Sequence, residues 1–191
     1  MEKEKYILLV AGPSGSGKSF FAETLSKTKS LPILQSYTTR SPRYEGETGH
    51  VFVTKEEFDS LPDKCAYTLF DGNEYCATSK QVDEASIYII DPAGIDYFTK
   101  NYTGVKKPFV VIVECNDKEK LIQRMMTRQG GTVQEAAARA WHDTKAFYEL
   151  TEQLIENQIP FVVVENDRTK EELVESIETF ASWLDETGVV I

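Results

Sequence analysis

Near the start of the chain, Gly12-Pro13-Ser14-Gly15-Ser16-Gly17-Lys18-Ser19 has the residue types and spacing to hold a polyphosphate. It fits G-x-x-x-x-G-K-[ST] and lies between an apolar run, Tyr6–Ala11, and a helical pattern beginning at Phe20. Glycines let the backbone turn tightly and bring its N–H groups against anionic oxygens with no side chain between. Gly12, Ser14, Gly15, Ser16, Gly17 and Lys18 are therefore expected to surround the phosphates of ATP or GTP. Lys18 would reach the β- and γ-phosphates, and the Ser19 hydroxyl would ligate Mg²⁺.

A second constellation is Ser36-Tyr37-Thr38-Thr39-Arg40-Ser41-Pro42-Arg43. Pro42 restricts the backbone between two arginines, and two guanidinium forks so held suit a phosphate monoester. Solvated surface arginines at a turn are the plainer reading, which the phosphate loop upstream makes the weaker one. A third block holds Arg124 and Arg128, four apart on one helical face, then Gly130-Gly131, then a new helical pattern bearing Arg139. The glycines interrupt the helix between arginine-bearing segments; a helical hairpin would explain the glycines but not the arginines.

These groups need a framework, and 191 residues suffice for one α/β domain with a sizeable core. Apolar β-rich runs alternate with helical patterns, which predicts a mostly parallel sheet with helices on both faces. Strands are expected at Ile7–Val10, Ile33–Gln35, Ile87–Ile90, Phe109–Glu114 and Phe161–Val164, and helices at 18–28, 94–102, 117–128, 134–157 and 169–186. Residues 36–79 break this rhythm. A short strand at Val51–Val53, an amphipathic turn at Lys55–Leu61 and Asp71-Gly72 between two strand-like runs predict a small β-rich insert. The stripe Trp141, Phe147, Tyr148, Leu154, Ile155 reads as a core face, as do Trp183 and Leu184.

The net charge of −10 speaks against nucleic acid as a partner. No apolar run is long enough to span a membrane, Met1–Lys5 does not read as a signal peptide, and three cysteines lack metal-ligand spacing. A cytoplasmic protein with reduced thiols is the expectation; its oligomeric state is not legible.

The series of motifs resembles the guanylate kinases. The resemblance runs in order through the phosphate loop, T-T-R-x-P-R, Gly46-Glu47, Phe52-Val53, Glu56-Glu57-Phe58, Phe70-x-Gly72-Asn73-x-Tyr75, Asp91-Pro92-Ala93-Gly94 and the arginine-bearing lid. It implies a P-loop three-layer α/β fold with an inserted acceptor-binding lobe and a helical lid. The implied division is core (1–35, 80–127, 158–191), lobe (36–79) and lid with its following helix (128–157). It also implies Mg-ATP-dependent phosphoryl transfer to a nucleoside monophosphate, GMP or dGMP. Arg40, Arg43 and Tyr75 would hold the acceptor phosphate, with Ser36, Thr78 and Asp91 near the base and Arg128 and Arg139 closing over ATP. Catalysis would be alignment and charge neutralisation by Lys18, Arg40, Arg43, Arg128 and Arg139. An acceptor phosphate, with a second pKa of about 6, is already anionic and needs no general base.

Several residues depart from that pattern. Ala66 stands where guanylate kinases carry a glutamate that accepts guanine N–H donors, and Cys76, Ala77 and Ile89 replace a glycine, a serine and an aspartate. The Gly46–Phe52 segment is one residue short, leaving His50 or Val51 at the place of a phosphate-binding tyrosine. Ribose bisphosphate phosphokinases resemble guanylate kinases and share a shortened segment with a histidine, so another phosphorylated small molecule stays open as acceptor. A non-catalytic phosphopeptide-binding module of the same fold is the third reading, disfavoured by the intact Lys18, Ser19 and loop glycines.

Overall fold

Runs of β-branched residues, apolar on both faces, form the strands of a parallel sheet, and the helices between them cover it. The computed structural model describes residues 4–129 and 131–191, without the side chains of Arg128 and Gln129. In chain order the elements are β1 (Lys5–Ala11), α1 (Lys18–Lys29), β2 (Ser36–Thr38), β3 (His50–Phe52), α2 (Lys55–Ser60), β4 (Lys64–Phe70), β5 (Asn73–Thr78) and α3 (Ser79–Glu84). There follow β6 (Ile87–Ile89), α4 (Pro92–Asn101), β7 (Lys106–Glu114), α5 (Lys118–Gln129), α6 (Val133–Glu156), β8 (Phe161–Glu165) and α7 (Lys170–Thr187).

The central sheet has the order β6-β1-β7-β8, and its pairings are parallel. Alternation along β1 divides the core. Ile7, Leu9 and Ala11 face a cluster with Ile95, Phe98, Leu150 and Leu154, while Leu8 and Val10 face Phe21, Leu25, Ile177 and Phe180. Helices α4 and α6 thus cover one face and α1 and α7 the other, which makes the three layers.

The strand expected at Ile33–Gln35 does not form. Ile33 makes a single parallel bridge to Ile87, because Pro32 has no N–H to extend the ladder and the chain then turns into the other sheet. That second sheet, β3-β2-β5-β4, is built from residues 36–78. Its β4–β5 hairpin closes on Asp71 and Gly72, both at positive φ (50° and 72°), the geometry of a two-residue hairpin turn. Strand β3 starts one residue earlier than expected, which pairs His50 directly with Ser36.

Helix α3 is absent from the sequence-based expectation. Its signal was present in Thr78-x-x-Gln81, a capping box whose hydroxyl and amide each satisfy an end group. The stripe along α6 is also corrected. Leu150 and Leu154 are buried and Phe147 is half-buried, whereas Trp141, Tyr148 and Ile155 are exposed. Residues seven apart share a stripe, and this stripe stands about a third of a turn from the face that Ala136, Ala140, Leu150 and Leu154 turn inward, beside the groove that Tyr148 and Ile155 line with Val163. No helix among the described residues is long and apolar enough to cross a membrane.

Candidate active site

The glycine-rich loop leaves the C-terminal end of β1 and enters α1 through Gly17, at φ 96°; Gly15 is at 81°. A Cβ at Gly12 would stand 2.2 Å from the Val113 carbonyl oxygen, so only glycine fits beside β7. Two side chains fix the loop from outside, and a third contact lies within it. Asn166, buried after β8, donates from Nδ2 to the Ser16 carbonyl at 2.7 Å. Arg124 on α5 donates to the Gly15 and Asn166 carbonyls, both at 3.3 Å. Lys18 Nζ donates to the Pro13 carbonyl at 3.3 Å. Asn166 was missed in the sequence because nothing local marks a side chain 150 residues from its partner.

Helix α6 docks on this loop through charged side chains. The Ser14 backbone N–H donates to Asp143 Oδ2 at 2.7 Å, so a carboxylate oxygen already sits against the loop as a phosphate oxygen would. Arg139 Nε donates to Ser14 Oγ at 2.9 Å, and its guanidinium lies 4.8 Å from the centre of the Phe70 ring. One side chain therefore ties phosphate loop, α6 and β4–β5 hairpin together. The side chain of Arg128 lies outside the described residues.

In the second sheet Glu47 organises both arginines. Arg40 grips it with two nitrogens, at 2.7 and 3.2 Å, and the Arg43 backbone N–H donates to it at 2.6 Å. The Arg40 hydrogen bonds, then the Arg43 N–H, hold the Glu47 carboxyl down to about 2. Arg40 Nε is buried without a partner among the described residues, a donor that an incoming anion could satisfy.

His50 lies behind them. Its Nδ1 is 2.9 Å from Ser36 Oγ and its ring meets Tyr75 edge-on at 5.5 Å. Burial, then the Arg40 charge, lower its pKa, so it is neutral at pH 7. Val51 points outward and is exposed, which leaves His50 as the inward residue of the shortened segment. Asp91 caps α4 by accepting the Gly94 N–H at 2.6 Å, and burial raises its pKa.

Gly12, Ser14 and Lys18 at one end and Ser36, His50, Tyr75 and Asp91 at the other line a single cavity of about 230 Å³. Arg40 and Arg43 line a neighbouring concavity of about 350 Å³ that shares Phe70, Tyr75 and Arg139 with it. Ser19 follows Lys18 at the start of α1. Thr78 is not brought to either wall; its hydroxyl caps α3 instead. A larger concavity, about 570 Å³ along β8 and α7, contains none of the expected residues.

This arrangement offers two anion sites on adjoining concavities, and relatives share its sequence. The chain is 30% identical to a guanylate kinase of Wolinella succinogenes over 93% of its own length and 85% of the relative's. The family is decided by that match. The chain belongs to the guanylate kinases. A Clostridium acetobutylicum guanylate kinase is 28% identical, covering 93% of this chain and 96% of its own. The crystal structure of guanylate kinase from Anaplasma phagocytophilum superposes with a TM-score of 0.60 at 16% identity, over 98% of this chain and 88% of that one, and shows the shared fold. No family model matches the chain.

Against this guanylate kinase background the Ala66 position stands out. Ala66 and Ala77 pair across β4 and β5, are fully buried, and belong to the cluster that contains Tyr88, Leu150 and Leu154. Ala66→Glu should therefore cost about 3 kcal/mol or more at pH 7, because an ionised carboxylate enters an apolar cluster. In a chain of this size that is a fall in Tm of roughly 6–12 °C. Burial would raise the pKa of the new carboxyl above its unfolded value, so the loss should shrink as pH falls through that raised value. A thermal melt at pH 8 and at pH 5 checks both statements; an unchanged Tm means the site is roomier than its burial says.

Proposed function

We propose that this protein transfers the γ-phosphoryl group of ATP to a nucleoside monophosphate, GMP or dGMP, giving the diphosphate and ADP. The observation that carries the reading is a pair of adjoining cavities that share Phe70, Tyr75 and Arg139, one reaching the glycine loop around Ser14 and the other the Arg40–Arg43 fork. The guanylate kinase relatives support the reaction type.

In this proposal residues 36–79 hold the acceptor, and residues 128–157 form the lid and its following helix. Arg40 and Arg43 fix the acceptor phosphate, and Lys18 draws charge from the donor phosphates. Arg139, on Ser14 and over Phe70, bridges the two. The half-buried Ser19 hydroxyl suits a hard cation, and Mg²⁺ held there with ATP would neutralise donor charge. The acceptor oxygen is already anionic, so the neutral His50 serves as a hydrogen-bonding wall rather than a base.

The acceptor end lacks the guanine-reading glutamate and presents Ser36, His50 and Tyr75, which favours a second reading: the same transfer to another phosphorylated small molecule. ADP release from Mg-ATP against GMP, dGMP, AMP, CMP, UMP, dTMP and ribose 1,5-bisphosphate tests both. Preference for GMP or dGMP supports the proposal, preference for another acceptor replaces the substrate, and silence with every acceptor revives a non-catalytic binding module.

Asp143 gives this reading its own test. Its carboxylate takes the Ser14 N–H that a donor phosphate would take, and its charge repels that phosphate. Asp143→Asn keeps the shape and removes the charge, so ATP should bind about five- to tenfold more tightly, as one lost charge-assisted competitor implies. Titration calorimetry with ATP reads this directly; an unchanged or weaker affinity means that Asp143 and ATP do not compete.

A further inference from the structure

Helix α6 has two faces of opposite character. Its inner face serves the core and the loop through Ala140, Leu150 and Leu154, with Arg139 and Asp143 on Ser14. Its outer face carries Trp141, Tyr148 and Ile155, exposed by 70%, 64% and 63%. A spacing of seven residues is just under two turns, so the three stand in line over about 21 Å. Thr144 and Thr151 lie between them and spend their hydroxyls on the helix's own Ala140 and Phe147 carbonyls. The result is a seam of three exposed apolar side chains with only self-bonded threonines and Glu152 beside them, more than the single exposed hydrophobes of an ordinary surface.

We infer that this seam is a two-fold contact between two copies of the chain, with the α6 helices antiparallel about Tyr148. The charges along it select that partner. Lys118, its Nζ 5.0 Å from the Trp141 ring centre, and Lys145, 3.6 Å from Glu149 one turn on, mark the Trp141 end, whereas Glu152, beside the Tyr148 hydroxyl, and Glu156 mark the Ile155 end. A parallel copy would set like charges side by side. An antiparallel copy sets Lys145 beside the partner's Glu152, and two-fold symmetry makes the pairing twice. The same operation lays Trp141 on the partner's Ile155, beside the half-exposed Val163 and the groove it lines with Tyr148. The contact is one helix wide, below the size of a standard stable interface, so the dimer is weak and dissociates on dilution.

The inference is independent of the acceptor's identity. Sedimentation velocity from about 1 to about 200 μM, with acrylamide quenching of tryptophan over the same range, tests it on the whole chain. Trp183 is packed against Phe109 and Phe180, so the quenchable signal belongs to Trp141. The expected result is a monomer–dimer equilibrium in which quenching falls as dimer forms. Lys145→Glu and Glu152→Lys should each raise the dimer dissociation constant tenfold or more, and the two together should restore it. Both positions are on the exposed helix surface, and Lys145→Glu disturbs only the exposed pair with Glu149, so the variants should melt within about 4 °C of the parent. A monomer at every concentration, a dimer in which Trp141 stays fully quenchable, or a double reversal no better than the singles overturns the inference; the first would leave the seam to a different protein.

Discussion

Arg40→Ala raises the acceptor KM by about 100-fold or more while ATP affinity changes little. The side chain is 13% exposed and its guanidinium points two nitrogens at Glu47, whose own side chain is 7% exposed. A phosphate at this fork would lose a bidentate charge-assisted partner, and such a loss is worth about 3 kcal/mol, or two decades. Arg40→Lys should recover little, because an ammonium cannot reproduce the planar fork. The variant also has a pH signature. Glu47 titrates near 2 in the folded protein against an ordinary 4.5. A depressed carboxylate gives stability that is present above the unfolded pKa and lost as pH falls through the folded one. The parent should therefore lose stability between about pH 4.5 and 2 through this pair, and Arg40→Ala should lose much less in that window. Steady-state kinetics in both substrates, with melts across acid pH, check the two parts. An equal loss of ATP affinity would show that the lobe does not hold the acceptor.

Local geometry held in consecutive residues was legible. The phosphate loop is local: its glycines are demanded by a turn and by Val113 across the strand, and the pattern announces both. The parallel sheet followed from β-branched runs, and the Asp71-Gly72 hairpin from its turn chemistry. Contacts between distant segments carried no such mark. Asp143 meets Ser14 from 129 residues away, and a lone aspartate on a helix looks like a solvated one. Glu47 was visible as part of a motif, but its grip on Arg40 depends on how residues 41–46 loop back. Ile33–Gln35 had a strand's composition and lost the strand to Pro32 and to competition from the second sheet. The outward turn of Trp141, Tyr148 and Ile155 failed for another reason: apolarity identifies a face, and burial additionally requires something to cover it.

Lys18→Ala is expected to lower kcat by about 100- to 1,000-fold and to weaken ATP binding, with the fold intact. Lys18 is the first residue of α1, directly after the left-handed Gly17, and alanine is the best helix former to place there. Its contact with the Pro13 carbonyl is long, and the residue is half-buried. What disappears is a cation at the donor phosphates, where charge shifts during transfer and where preorganised stabilisation is worth about 3–4 kcal/mol per group. Lys18→Arg should not rescue turnover, since a longer planar fork does not fit a loop closed by Asn166 on one side and Arg124 on the other. The backbone N–H groups survive the substitution, so some phosphate binding remains and kcat should fall further than affinity. That split separates a kinase from a binding module of the same fold. In a kinase Lys18→Ala removes catalysis and leaves acceptor binding in place, whereas in a binding module it changes nothing that can be measured.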